Sequence, residues 1–194
     1  MTKSEITTLS SRIAYENKWL RLREDIIRRP DGAQGLYGVV ERDDFVVVAA
    51  LGTEPGGAEP GDDGPAPWLA MVQQYRYPVR QRLWELPMGM WEERAGATPE
   101  TIAAGELREE TGLVAGRMQH AGVLFQGAGY SNQKGHVFLA TDLEQQSPMP
   151  ESTEQDMITR RIPLDEVEAM IRDGRITCMV SIAAFGMLRL KGLL

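Results

Sequence analysis

The sequence predicts an α+β chain, and three observations predict it. Extended, turn-punctuated segments fill the first half, a well-capped helix stands alone in the middle, and helical periodicity takes over near the C-terminus. Strands first, one central helix and helices last do not make the regular βαβ alternation of a parallel fold.

Taken in order, Trp19 to Arg28 and Leu36 to Glu41 read as strands leading into Phe45 to Leu51, whose β-branched, apolar run suits a fully buried strand. Turn residues separate them at Arg29-Pro30-Asp31-Gly32 and Arg42-Asp43-Asp44. Glu54 to Pro67 is dense in Gly, Pro and acid and reads as an exposed loop between hairpin strands, with Trp68 to Arg76 resuming the extended chain. Leu83 to Gly89 is a further short extended segment that ends in a Pro/Gly break. Helix follows: Thr98 is an N-cap, Pro99 suits the first helical position, Glu100 favours the positive end of the dipole, and Gly112 ends the helix after Glu110 or Thr111. Ala121 to Phe125 and His136 to Thr141 are strands around a Gln126–Asn132 loop. A second helix runs from Leu164 to Arg172, closed by Asp173-Gly174, and a third from about Thr177 to Leu190.

Composition narrows the function. A chain of 194 residues fits one domain, or one domain plus a short arm, and 42% apolar with 25% charged residues is ordinary for a globular protein. A net charge of −7 without a basic block argues against a nucleic-acid partner, because phosphate neutralisation needs clustered Lys and Arg. An anionic substrate would therefore need a local cation. The start lacks an apolar signal-like core, and the longest apolar run, Phe45 to Leu51, is too short to span a bilayer, so a cytoplasmic protein with no membrane partner is expected. The single cysteine, Cys178, excludes an internal disulfide and a multi-Cys zinc site and reads as a buried, inert thiol. His120 and His136 lack metal-ligand spacing and read as structural.

Glu106, Glu109 and Glu110 carry the chemistry. At about 100° per residue, Glu106 and Glu110 stack one turn apart and Glu109 lies about 60° to one side, so three carboxylates share a flank. They sit at the negative end of the helix dipole, where like charges at this spacing repel unless a cation compensates. The bare cluster leaves two explanations open: a solvated acidic surface beside Arg108, or a divalent ion held by a few carboxylates together with water and substrate phosphate.

The context of the cluster bears on that choice. Glu106-Leu107-Arg108-Glu109-Glu110-Thr111-Gly112-Leu113, preceded by Glu85-Leu86-Pro87-Met88-Gly89, resembles the Nudix box, G-x5-E-x7-R-E-U-x-E-E-x-G-U. VQQYRYPVRQRLWELPMG, Gly129-Tyr130-Ser131-Asn132 with the following His136 to Leu143, and the stretch from Ile162 onward resemble the ADP-ribose pyrophosphatase and nucleotide-sugar hydrolase branch of that superfamily. The resemblance covers roughly Tyr15 to Leu190. The box is degenerate: two extra residues fall within Met90 to Ala95, and Ala97 and Gly105 occupy the usual positions of a glutamate and the arginine.

The resemblance implies a Nudix α/β/α sandwich with a mixed sheet, residues 44–194, and an N-terminal β extension, residues 1–43, that forms a homodimer. It implies Mg²⁺, with Mn²⁺ as the alternative, held by Glu106, Glu109, Glu110 and the carbonyl of Met88, with Glu109 also catalytic. Arg76 would contact the substrate diphosphate, although a strand-end salt bridge accounts equally well for an arginine there. Trp19, or Tyr15, would stack on the base. The general base would come from a late acidic loop, with Glu154 preferred over Glu151 and Asp156, although a plain surface loop explains those acids as well. Arg94 could replace the missing arginine, although a solvated surface arginine is the simpler reading. The implied reaction is hydrolysis of the diphosphate bridge in ADP-ribose or another nucleoside-diphosphate sugar. The alternatives are a catalytically weak Nudix-fold nucleotide sensor, for which the chain has no room for a DNA-binding domain, and hydrolysis of another diphosphate.

Overall fold

The computed structural model describes residues 5–54, 66–90, 96–147 and 156–194. They form two compact units, one made of the residues up to Asp44 together with Phe125–Lys134, the other of Phe45–Leu124 and Gly135–Leu194.

In the first unit, β1 (Thr7–Glu16), β2 (Arg21–Arg28) and β3 (Gln34–Glu41) pair antiparallel in that order. The β2–β3 turn closes through Gly32 at φ +88°, whose N–H donates to the Arg29 carbonyl at 2.9 Å. β1 was not expected from the sequence. It is exposed along its whole length and carries two register shifts, so it shows no period-2 pattern of apolar residues. β2 starts at Arg21 and not at Trp19, because the Asn17 side chain accepts the backbone N–H groups of Trp19 and Leu20, both at 2.9 Å, and makes that stretch a turn. The segment 125–134 joins this unit through Tyr37, whose hydroxyl donates to the Gly129 carbonyl at 2.7 Å, and Gln133, whose side-chain amide donates to the Asp43 carbonyl at 2.7 Å.

The second unit holds β4 (Phe45–Glu54), β5 (Ala66–Arg76), β6 (Gln81–Glu85), β7 (Met88–Gly89), α1 (Pro99–Thr111), β8 (Leu113–Phe125), β9 (Lys134–Gln145), β10 (Ile158–Pro163), α2 (Leu164–Arg172) and α3 (Met179–Leu190). Its sheet runs β10-β5-β4-β9-β8, with β6 added to β5 and β7 to β4. β4 pairs parallel with β9 and antiparallel with β5 and β7, so the sheet is mixed. Alternation along β4 sorts the core. Val46, Val48 and Ala50 pack with Ala103, Leu107 and Phe138 on the α1 side, while Phe45, Val47 and Ala49 pack with Val167 and Met170 of α2 and Ala184 and Leu188 of α3. Burial on both faces is why β4 reads as an unbroken apolar run, and each fully buried side chain of this size contributes about 1.5–3 kcal/mol. The result is the expected α/β/α sandwich.

Several boundaries differ from expectation. The extended segment 83–89 divides into β6 and β7 around Leu86-Pro87, since Pro87 has no N–H to continue a ladder. β8 begins at Leu113, eight residues before the expected Ala121, directly from the end of α1. β10, a short edge strand ending in Pro163, was not expected. Among the described residues no helix is long and apolar enough to cross a membrane.

Candidate active site

Helix α1 is capped as its sequence demands. Thr98 is extended, and its hydroxyl accepts the Thr101 N–H at 3.2 Å; at the other end Gly112 adopts φ 73° and donates to the Arg108 carbonyl. The buried face is Ala103, Glu106, Leu107, Glu110 and Thr111. Two carboxylates one turn apart therefore point inward, Glu106 at 7% and Glu110 at 3% exposure, while Glu109 is half-buried beside them. Glu110 is fixed from both ends: its Oε2 accepts the Met88 N–H at 3.2 Å, and its carbonyl accepts the Thr159 hydroxyl at 2.9 Å.

Gly89 explains how Glu106 fits. A Cβ on Gly89 would lie 2.4 Å from Glu106 Oε2 and 2.6 Å from its carboxyl carbon, so the carboxylate occupies the space that a side chain on β7 would need. Glu106 and Glu110 thus converge on consecutive residues of one strand, Gly89 and Met88.

Buried carboxylates beside each other are costly unless a cation compensates, and this cradle suits a hard divalent ion that takes a few carboxylates and completes its shell with water and phosphate. The described residues contain no group of three His, Cys, Asp or Glu side chains arranged as a metal cage. The arrangement fits an open, two-carboxylate site with Glu109 flanking it. A closed structural site would need more protein ligands.

Arg76 is engaged. Its Nε and Nη2 lie 2.8 and 2.7 Å from Oε2 of Glu85, a carboxylate only 4% exposed, so the strand-end salt bridge is present. Glu85 stands opposite Val72 in the β5–β6 register, which puts it on the α1 side of the sheet with Trp68 and Ala70. Sequence reasoning missed Glu85. Its signal was an ionisable residue at an inward position between Trp84 and Leu86.

Asp156 pairs with Arg82, whose register partner Tyr75 points to the face away from α1. Glu154, Glu151 and Arg94 lie outside the described residues. Trp19 lies in the first unit, 53% exposed, with the Lys18 ammonium 4.3 Å from its ring centroid. His120 and His136 face each other at 5.8 Å, and His120 packs 5.1 Å from Phe138, which suits packing groups. Cys178 is half-buried, not buried as expected; desolvation pushes its thiol up, so it stays protonated.

Known proteins resemble this chain in sequence and fold. The sequence matches the NUDIX domain family over residues 61–179 and the nucleoside diphosphate sugar hydrolase N-terminal domain over residues 6–40. It is 34% identical to the ADP-ribose pyrophosphatase of Mycobacterium tuberculosis over 94% of this chain and 83% of that protein. It is also 25% identical to the ADP-ribose pyrophosphatase of Bacillus subtilis over 98% of this chain and 96% of that protein. The fold superposes on a crystal structure of an ADP compounds hydrolase with a TM-score of 0.78 over the whole of both chains, at 15% identity. The chain belongs to the Nudix hydrolases, the class that the sandwich and the acidic helix define. It is a hydrolase of diphosphate bonds, and enzymes of this family use divalent metal ions.

Proposed function

We propose that the protein hydrolyses the diphosphate bridge of ADP-ribose or another nucleoside-diphosphate sugar, releasing a nucleoside monophosphate and a sugar phosphate, with Mg²⁺ as its ion and Mn²⁺ as a substitute. The observation that carries this reading is the convergence of buried Glu106 and Glu110 on the Met88–Gly89 strand. Glu106, Glu110, the flanking Glu109 and the Met88 carbonyl would hold the ion, which when bound neutralises bridging phosphate charge and acidifies a coordinated water. Arg76, held on the same side of the sheet by Glu85, presents its remaining guanidinium N–H groups to the diphosphate. Glu154 is the proposed base.

The match over residues 6–40 supports reading residues 1–43 as an N-terminal β extension and residues 44–194 as the catalytic domain; the same proposal makes the protein a cytoplasmic homodimer in which Trp19 stacks on the base. Turnover of ADP-ribose, GDP-mannose, UDP-glucose and ADP-glucose, each with Mg²⁺ or Mn²⁺, is the test. Metal-dependent release of nucleoside monophosphate from one of them is expected. Binding without hydrolysis across the panel would replace this reading with a nucleotide sensor.

A further inference from the structure

On the face of the sheet away from α1 lies a cleft of about 440 Å³ between β5, β6, β10 and α2. Its orientation follows from register. Leu69 and Met71 of β5 pack with α2 and α3, Gln73 continues that face, Trp84 stands opposite Gln73, and Arg160 stands opposite Met71. Glu85 and Arg76 alternate to the other side. The cleft is therefore separate from the acidic cradle.

Its lining is rich in arginine. Arg82, Arg160 and Arg175 converge on it against Glu166, in a chain of net charge −7. Arg160 has no carboxylate partner among the described residues, and its guanidinium lies 5.8 Å above the Trp84 ring. Arg82 is paired with Asp156, and Arg175 with Asp173 at 2.8 Å and Glu166 at 3.3 Å. These pairs are solvent-exposed, the kind that contributes little and exchanges readily for a stronger acceptor. A planar guanidinium prefers a bidentate oxyanion. The Gln73 amide adds a neutral donor, and the indole of Trp84 forms an apolar floor.

We propose that this cleft is a second ligand site, for a phosphate dianion carried by a phosphomonoester. A phosphomonoester carries close to two negative charges at neutral pH, whereas each phosphoryl group of a diphosphate bridge carries one, so Arg160, joined by Arg82 and Arg175 once these exchange their exposed carboxylate partners, favours product over substrate. That the ester is the nucleoside monophosphate or sugar phosphate rests on the proposed reaction; the phosphate chemistry of the cleft does not.

Calorimetric titration of the full chain in a chelator, where the metal-dependent site is disabled, tests this. The probes are a nucleoside 5′-monophosphate, ribose 5-phosphate and inorganic phosphate. Saturable binding at millimolar concentration or below is expected for wild type and equally for Glu110→Gln, with affinity falling as pH drops below about 6, where the dianion takes up a proton. Arg160→Gln, alone or with Arg175→Gln, should weaken it about tenfold or more with an unchanged thermal midpoint; the single variant serves if the double does not fold. Tighter binding of the esters assigns the site to products, and equal binding assigns it to free phosphate. Absence of binding to wild type, binding unchanged by Arg160→Gln, or binding lost in Glu110→Gln would each overturn the proposal. None of these bears on whether the enzyme turns over nucleotide sugars.

Discussion

Arg76 and Glu85 hold each other across the β5–β6 hairpin, two guanidinium nitrogens at 2.8 and 2.7 Å from a single carboxylate oxygen. The carboxylate is buried and the guanidinium side chain is 36% exposed, so one edge of the arginine is fixed while the rest reaches solvent. Glu85→Gln keeps the shape and removes the charge. A hydrogen bond to a charged group is worth about 1.5–3 kcal/mol, and solvent at the arginine cuts this to about 1 kcal/mol of stability. The loosened Arg76 should raise KM for the diphosphate several-fold with kcat nearly kept. If thermal stability falls while KM is unmoved, Glu85 serves only the fold.

Gly89→Ala should act on the site through Glu106. A methyl group would sit where the carboxylate now lies, 2.4 Å from Oε2, so the acid must move or the strand must shift. Overpacking of this kind costs about 1–3 kcal/mol. Activity should fall at least as far as in Glu106→Gln, and a weakened metal requirement by titration should accompany it. An active Gly89→Ala enzyme with normal metal affinity would remove Glu106 from the site.

Acid should loosen the packing of α2 on α3. The Arg189 guanidinium, hydrogen-bonded to Glu168, holds that carboxyl below its ordinary value, with Arg172 adding to the effect. A group depressed in the folded state contributes stability that is complete above its unfolded pKa and is lost as pH falls through the lower folded value. Denaturant midpoints followed from neutral pH into the acid range should therefore decline more gently below the ordinary glutamate range in Glu168→Gln than in wild type. Parallel curves would show that the pair contributes nothing.

What could be read from the sequence followed burial. β4 and α1 were legible because their apolar and capping patterns are enforced by packing on both faces of the sheet and by Thr98 and Gly112. β1 and β10 were not: both are edge strands, and their mostly exposed, polar side chains leave no alternation to read. At the site, Glu106 and Glu110 were legible through helical spacing. The space above Gly89 and the partner of Arg76 arise from strand register, which a single sequence does not state.

The burial difference along α1 leads to a graded test of its carboxylates. Glu110→Gln and Glu109→Gln should each reduce kcat by more than about tenfold, a loss of ~1.4 kcal/mol or more of transition-state stabilisation, without unfolding the protein. Glu110 is 3% exposed and tied to Met88, so its loss should also weaken metal binding the more. Calorimetric titration with Mg²⁺ beside steady-state kinetics checks both. If either variant keeps more than about a tenth of kcat, that carboxylate does not hold the ion.

Gly105 is the last of the family's departures and the most direct to test. It sits half-buried in the interior of α1, where glycine costs ~1 kcal/mol relative to a good helix former, so Gly105→Arg should raise the thermal midpoint by restoring backbone order. The new guanidinium would stand next to Glu106, where an arginine in the usual box helps position a carboxylate. Activity should therefore stay equal or rise, since electrostatic stabilisation by a bound ion remains the larger contribution and the arginine only positions. A fall in activity that Arg94→Ala reverses in the Gly105→Arg background would show that Arg94 already fills this role, and that the two-residue insertion moved the arginine from the helix to the sequence before it. Loss of activity that Arg94→Ala does not reverse, with stability raised, would mean that an open flank at Gly105 is itself part of the substrate site.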